Sequence, residues 1–236
     1  MQNRLWVVAL FLFFIALLVS WALSRYPRTP SVEPPSGRYA EQTGSYDILA
    51  EYATSTPLVL VGAAADAAAV ATMHRFVTDS VAEFKSGGVI DRQQTLQILY
   101  LTATGQRTVS YIYTVYADTG GAHGNTYFRT FAFDTATGEE LTLADFFLPG
   151  AEYLARLSTI SRARLPAIIG EDFVNQEMLD AGTTPDGANF ERFFIGGSTM
   201  GILFPPYQIA PYAAGPQTLP IPLAELADIL KPEYRP

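Results

Sequence analysis

The most unusual side chains for doing chemistry lie in the run Gly120-Gly121-Ala122-His123-Gly124-Asn125, which sets three glycines around one of the chain's two histidines. Glycine lets the backbone take positive φ, so the run reads first as a hairpin connection that needs glycines for geometry. The same bare backbone, with an imidazole beside it, is also a surface that a ligand can approach closely. A second group comprises Tyr207 and Tyr212, the latter inside Ala210-Pro211-Tyr212-Ala213-Ala214-Gly215-Pro216, where aromatic area meets a stiff backbone. That string either packs over the end of a sheet or offers a preorganised aromatic face, since tyrosine binds with little lost entropy. Gly120, Gly121, His123, Asn125, Tyr207 and Tyr212 are therefore the candidate ligand-binding residues.

Other reactive arrangements have less to build on. A zinc site wants three or four convergent ligands, and His123 with the distant, helical His74 falls short, so no metal or cofactor is expected. No Gly-x-Ser-x-Gly elbow is present to strain a serine nucleophile. Glu139-Glu140 and Glu171-Asp172 bring carboxylates together, but neighbours along a strand point to opposite faces, so the first pair cannot flank a glycosidic bond. Both pairs read as solvated charges. The segment 134–138 lacks the regular acidic positions of a calcium loop and reads as a turn. The absence of cysteine removes disulfides, thiolate ligands and a cysteine nucleophile together. No catalytic residue is assigned. The enzymatic alternative is a cell-wall hydrolase in which His123 acts as general base beside a serine or carboxylate distant in sequence.

The elements that must position these residues begin with an anchor. Residues 5–23 (LWVVALFLFFIALLVSWAL) carry no charge and no proline, long enough for one membrane-spanning helix. A cleaved export signal is the alternative, with Arg4 as its basic flank and Ala22-Leu23-Ser24 as a cleavage site, but the apolar stretch exceeds the usual length. Either way the C-terminal portion is expected outside the cytoplasm, behind a cytoplasmic tail of residues 1–4. From residue 26 onward, 13 basic residues face 23 acidic ones, a formal charge of −10. Such a surface disfavours nucleic acid and favours a cationic partner.

Residues 24–44 hold Pro27, Pro30, Pro34 and Pro35 and read as an extended stalk, with the folded domain (45–236) starting near Ser45 and divided at about residue 90. Within it, Tyr46, Ile48, Ala50 and Tyr52 alternate as on a strand. Val70, Met73, Val77, Val81 and Phe84 recur as on the buried stripe of a helix over 63–85. Strands over 96–103, 108–117, 127–134 and 140–143, joined by short turns, predict an antiparallel meander. A helix with Tyr153, Leu154, Leu157 and Ile160 on one face follows, with Asp145 as its cap, then a short helix over 171–181 that stops at Gly182. Two further strands, 190–195 and 200–204, flank Gly196-Gly197. The proline-rich tail 205–222 pairs at most at an edge through 218–221, and a short helix closes over 223–230. The fold class is α+β: an antiparallel sheet meander packed with helices, preceded by a single transmembrane helix.

In order, the strings YDILAEY (46–52), GGAHGN (120–125), FDTATGEELTLADFF (133–147) and GILFPPYQIAPYAAGPQTLPIPLAEL (201–226) resemble an extracytoplasmic domain. It is shared by RsiV-type anti-sigma factors and, as a non-catalytic domain of unknown function, by PdaC-type peptidoglycan deacetylases. The resemblance runs from residue 45 to 229 and is strongest at 120–123 and 207–216. It implies an envelope-facing α+β domain that binds or senses something at the bacterial cell wall, RsiV being a receptor for lysozyme. Only three residues precede Arg4, so the sigma-binding segment is not carried over; nor is deacetylation, since no separate domain with metal-ligating Asp and His follows. The expected partners are a cell-wall glycan or a basic protein such as lysozyme, with the membrane contacted through 5–23. A purely structural envelope protein is the remaining possibility.

Overall fold

Strand segments that follow one another along the chain build the first sheet, seen in a computed structural model that describes residues 36–88 and 92–236. Segment 5–23, with the membrane helix expected there, lies outside the described residues. Among the described residues no helix is long and apolar enough to cross a membrane.

Five strands line up in sequence order: β1 (Ser36–Gln42), β2 (Tyr46–Ala53), β3 (Gln94–Thr104), β4 (Thr108–Asp118) and β5 (Asn125–Asp134). β3, β4 and β5 form the expected antiparallel meander. β2 pairs with β3 in parallel, which makes the sheet mixed rather than antiparallel throughout. The cause is the 24-residue helix α1 (Ala63–Ser86) between them, the long crossover that a parallel pair requires. Met73, Val77 and Phe84 of its stripe are buried against the sheet. They meet Ile48, Ile98, Tyr111, Tyr113 and Phe131, and Phe76 stands edge-on to Tyr113 and Phe131.

Two expectations about strands need correction. The stalk does not extend to residue 44: Ser36–Gln42 is a full strand, antiparallel to β2, so the sheet starts before Ser45. Its side chains alternate only between half-buried and exposed, so it lacks an apolar signature. Part of its anchoring is polar: Glu41 pairs with Lys85 and accepts from the Tyr46 hydroxyl at 2.6 Å, while Lys85 donates to Tyr39 at 2.8 Å. Donation from Lys85, Tyr39 and Tyr46 holds the Glu41 carboxyl down at about 2. The other correction concerns 140–143. Only Glu140 bridges to Phe133, after which Asp145 accepts from the Thr142 N–H at 2.8 Å and its hydroxyl at 2.6 Å. This capping box turns the chain into the 3-10 segment Leu143–Phe146, so Asp145 does not cap the following helix.

The second layer begins with α2 (Tyr153–Ile169) and continues through a 3-10 turn, Glu171–Phe173, and α3 (Gln176–Gly182). The single helix expected over 171–181 is split because Asn175 caps α3, accepting from the Met178 N–H at 3.0 Å. After α4 (Gly187–Phe190) come β6 (Phe193–Gly196), β7 (Thr199–Phe204) and β8 (Gln217–Pro222), an antiparallel sheet with β7 central. Phe146, Leu157, Leu165, Phe190, Ile202 and Phe204 lie in its core. β6 docks on the first sheet by giving its outward N–H groups to hydroxyls there: Ile195 to Ser110 at 3.0 Å and Phe193 to Thr130 at 3.2 Å. Only a 3-10 turn, Leu223–Leu226, forms in the last expected helix. Residues 33–236 thus make up one compact unit with two cores.

Candidate functional site

The loop between β4 and β5 is shaped by residues at its base. Asp118, ending β4, accepts from the Gly120 N–H at 2.9 Å, and Gly120 has a φ of 89°, in the region that favours glycine. Gln94 donates to the Thr119 carbonyl at 3.3 Å, and Arg92 donates to the carbonyl of Gly121. Gly124 crosses Tyr116 so closely that a Cβ there would lie 2.3 Å from the phenol oxygen. Gly120 is therefore required by its backbone conformation, whereas a side chain at Gly124 would have to displace the Tyr116 phenol. Gly121 is under neither constraint: its φ is outside the left-handed region and a Cβ would meet nothing nearer than 3.8 Å.

The loop meets the proline-rich tail at the Gly124 carbonyl, which accepts from the Tyr212 hydroxyl at 2.8 Å and sits 2.9 Å from His123 Nδ1. A carbonyl cannot donate, so Nδ1 carries a proton, and in the neutral ring Nε2 accepts the Tyr207 hydroxyl at 3.2 Å. The imidazole stacks on Tyr212 with centroids 3.9 Å apart at 26°; Tyr207 lies 6.3 Å from His123 at 26° and 5.5 Å from Tyr212 at 33°. Three near-parallel rings thus come together from two separate parts of the chain.

Tyr207 is placed by a tight turn in which the Gln208 N–H donates to the Pro205 carbonyl at 3.2 Å, with Pro206 and Tyr207 at the corners. Proline followed by positive φ is a type II turn, whose second corner normally takes glycine or asparagine. Here it is a tyrosine at φ 70°, the only non-glycine with positive φ among the described residues, and its side chain is turned outward at 52% exposure. Such a conformation costs a bulky residue about 1 kcal/mol or more. Beside Gly124, burial first and then Asp118 and Tyr212 push the Tyr116 phenol up; burial, Tyr207 and Asp118 do the same for Tyr212.

Of the residues singled out by sequence, His123, Tyr207 and Tyr212 make up the cluster, and Gly120 and Gly121 shape the adjoining loop. Asn125 begins β5, exposed, its side-chain oxygen accepting from the Thr126 N–H at 3.0 Å. Sequence reasoning missed Tyr116 and Asp118. The signal was present in Asp118-Thr119-Gly120, an Asp two residues before a glycine, which favours this side-chain-to-backbone turn. His74 is exposed on α1, edge-on to Tyr52 at 4.8 Å, and takes no part. Glu139, Glu140, Glu171 and Asp172 are exposed. Among the described residues no three His, Cys, Asp or Glu side chains converge as metal ligands would. The groups bonded to His123 are a carbonyl and a phenol; the ring can act as a base only by surrendering the Tyr207 hydrogen bond.

The architecture is thus that of an α+β protein with a mixed five-stranded sheet, a second three-stranded sheet and helices, presenting an aromatic corner. Residues 144–224, which include most of the second layer and both tail tyrosines, match a family described as a protein of unknown function, DUF3298. The peptidoglycan-N-acetylmuramic acid deacetylase PdaC of Bacillus subtilis is 32% identical over 170 residues, 69% of this chain and 36% of that protein. The chain therefore spans little more than a third of that relative's length. Crystal structures of DUF3298 family members from Pseudomonas aeruginosa and Bacteroides fragilis share the fold, with TM-scores of 0.54 and 0.55 at 20% identity. They cover 86% and 84% of this chain and 97% and 93% of their own chains, respectively. The resemblance to PdaC-type deacetylases read from the sequence thus holds over 170 residues, and residues 144–224 are similar to the DUF3298 family, of unknown function.

Proposed function

We propose that this protein is an extracytoplasmic binding module of the bacterial cell envelope, held to the membrane by residues 5–23, and that Tyr207, His123 and Tyr212 form its contact surface. The observation that carries the reading is Tyr207, a large exposed ring held at a backbone position made for glycine. Backbone strain of this kind clusters at functional sites, and here it holds a half-exposed ring against His123 and Tyr212. Homology to part of a deacetylase named for peptidoglycan makes the wall the expected setting. The ligand contact needs no reaction: imidazole and phenols supply ring faces and hydrogen bonds.

Co-sedimentation of the 33–236 unit with purified peptidoglycan sacculi tests this directly. Wild-type protein is expected in the pellet and Tyr207→Ala mostly in the supernatant; equal retention of the two removes Tyr207 from the contact surface. A second reading, a basic protein such as lysozyme as partner, draws on the formal charge of −10 after residue 25, which would speed encounter with a cation. It predicts binding to lysozyme that collapses with added salt.

A further inference from the structure

We infer that the ring cluster takes the face of a hexopyranose in a glycan strand, an inference that rests on the contact surface proposed above and names its ligand. A pyranose has one face of C–H bonds and a rim of hydroxyl groups. The C–H face is attracted to the negative face of an aromatic ring, and the rim needs uncharged donors and acceptors around it. His123 and Tyr212 stack face to face and so cover one face of each other, which leaves the exposed rings of Tyr207 and His123 as the ones a ligand can reach. Around them stand groups suited to hydroxyls: the exposed Tyr207 phenol, the His123 imidazole and the bare backbone at Gly121, where no side chain intervenes and the fold does not require a glycine.

The same surroundings disfavour a cationic side chain. Ring faces attract cations as well, and Asp118 acts on the Tyr116 and Tyr212 phenols, but one of its oxygens is engaged by the Gly120 N–H. Arg92 places a positive charge at the Gly121 carbonyl on the same loop. The net negative charge of the domain acts over distance and is screened by salt, whereas these neighbours act at contact.

The test is an NMR titration of the 33–236 unit with three separate probes: chitotetraose, a wall stem peptide without sugar, and tetralysine. Chitotetraose is expected to shift the signals of Tyr207, His123 and residues 119–124, with little change on adding salt. Tyr207→Asn, which suits the turn and so preserves the fold, and Tyr207→Ala should each weaken that binding about tenfold or more. Absence of sugar-induced shifts in folded wild-type protein overturns the inference, as does binding of the stem peptide or of tetralysine at the rings in preference to sugar. If sacculi are retained through Tyr207 while chitotetraose is not bound, the contact surface stands and the pyranose assignment alone fails.

Discussion

Two residues are held in arrangements that small changes can expose. Tyr207 stands at a left-handed corner with its ring outward. Asp134 is its converse, a carboxylate only 3% exposed and fully engaged. One oxygen accepts from Arg107 Nε at 2.7 Å and the Tyr234 hydroxyl at 2.9 Å; the other accepts from the N–H groups of Ala136 at 2.7 Å and Thr137 at 3.1 Å. Burial alone would raise this carboxyl, but the four donors together hold it below its usual range. A depressed folded-state value means that the stabilisation is complete above the ordinary carboxylate pKa, near 3.9, and is lost as pH falls through the folded value. Asp134→Asn should therefore cost about 2 kcal/mol at neutral pH and progressively less as the pH falls below 4. Thermal melts across that range check it; an equal loss at both ends would show that the charge is irrelevant.

At the scale of elements, β1 is the strand whose contribution is easiest to overlook. It covers the edge of β2 and, through Tyr39 and Glu41, ties that edge to Lys85 at the end of α1. A chain cut to begin at Ser45 loses this ladder and leaves β2 as a bare edge, prone to pair with other chains. Relative to the 33–236 unit, its melting midpoint should fall by roughly 4–8 °C, corresponding to about 2 kcal/mol for a domain of this size. Calorimetry measures this, and an unchanged midpoint would make β1 dispensable.

The contrast between β1 and α1 also explains what the sequence could disclose. α1 and β3 were legible because each buries one face, leaving a period in the apolar residues, and β4 and β5 because burial on both faces, over most of β4 and the end of β5, leaves apolar runs between turns. β1 buries none, and it sits beside prolines that suggest an extended stalk, so its pairing partner had to be seen. The crossover that makes β2 parallel to β3 was implicit in the length of α1 but hidden by the run of short turns after it. At the site, His123 and Tyr212 stood out by type. What no local pattern could supply is that Gly124 and the 205–208 turn bring rings from distant segments face to face, or that Tyr207 occupies a glycine position.

For the whole molecule, the ring cluster comes from how the two layers join. The first sheet supplies the loop at 119–124, the DUF3298 segment supplies Tyr207 and Tyr212, and the hydroxyls of Ser110 and Thr130 fix one layer on the other by receiving the N–H groups of β6. The ring cluster exists only when both layers are in place. With the strain at Tyr207 retained for contact with the cell wall, as proposed, stability and binding should move in opposite directions at that residue. The deciding measurement is made on Tyr207→Asn, with thermal stability and sacculus retention determined on the same protein. Stability is expected unchanged or higher, by up to about 1 kcal/mol, together with clearly reduced retention. A variant that melts lower yet pellets with sacculi as the wild type does would contradict it.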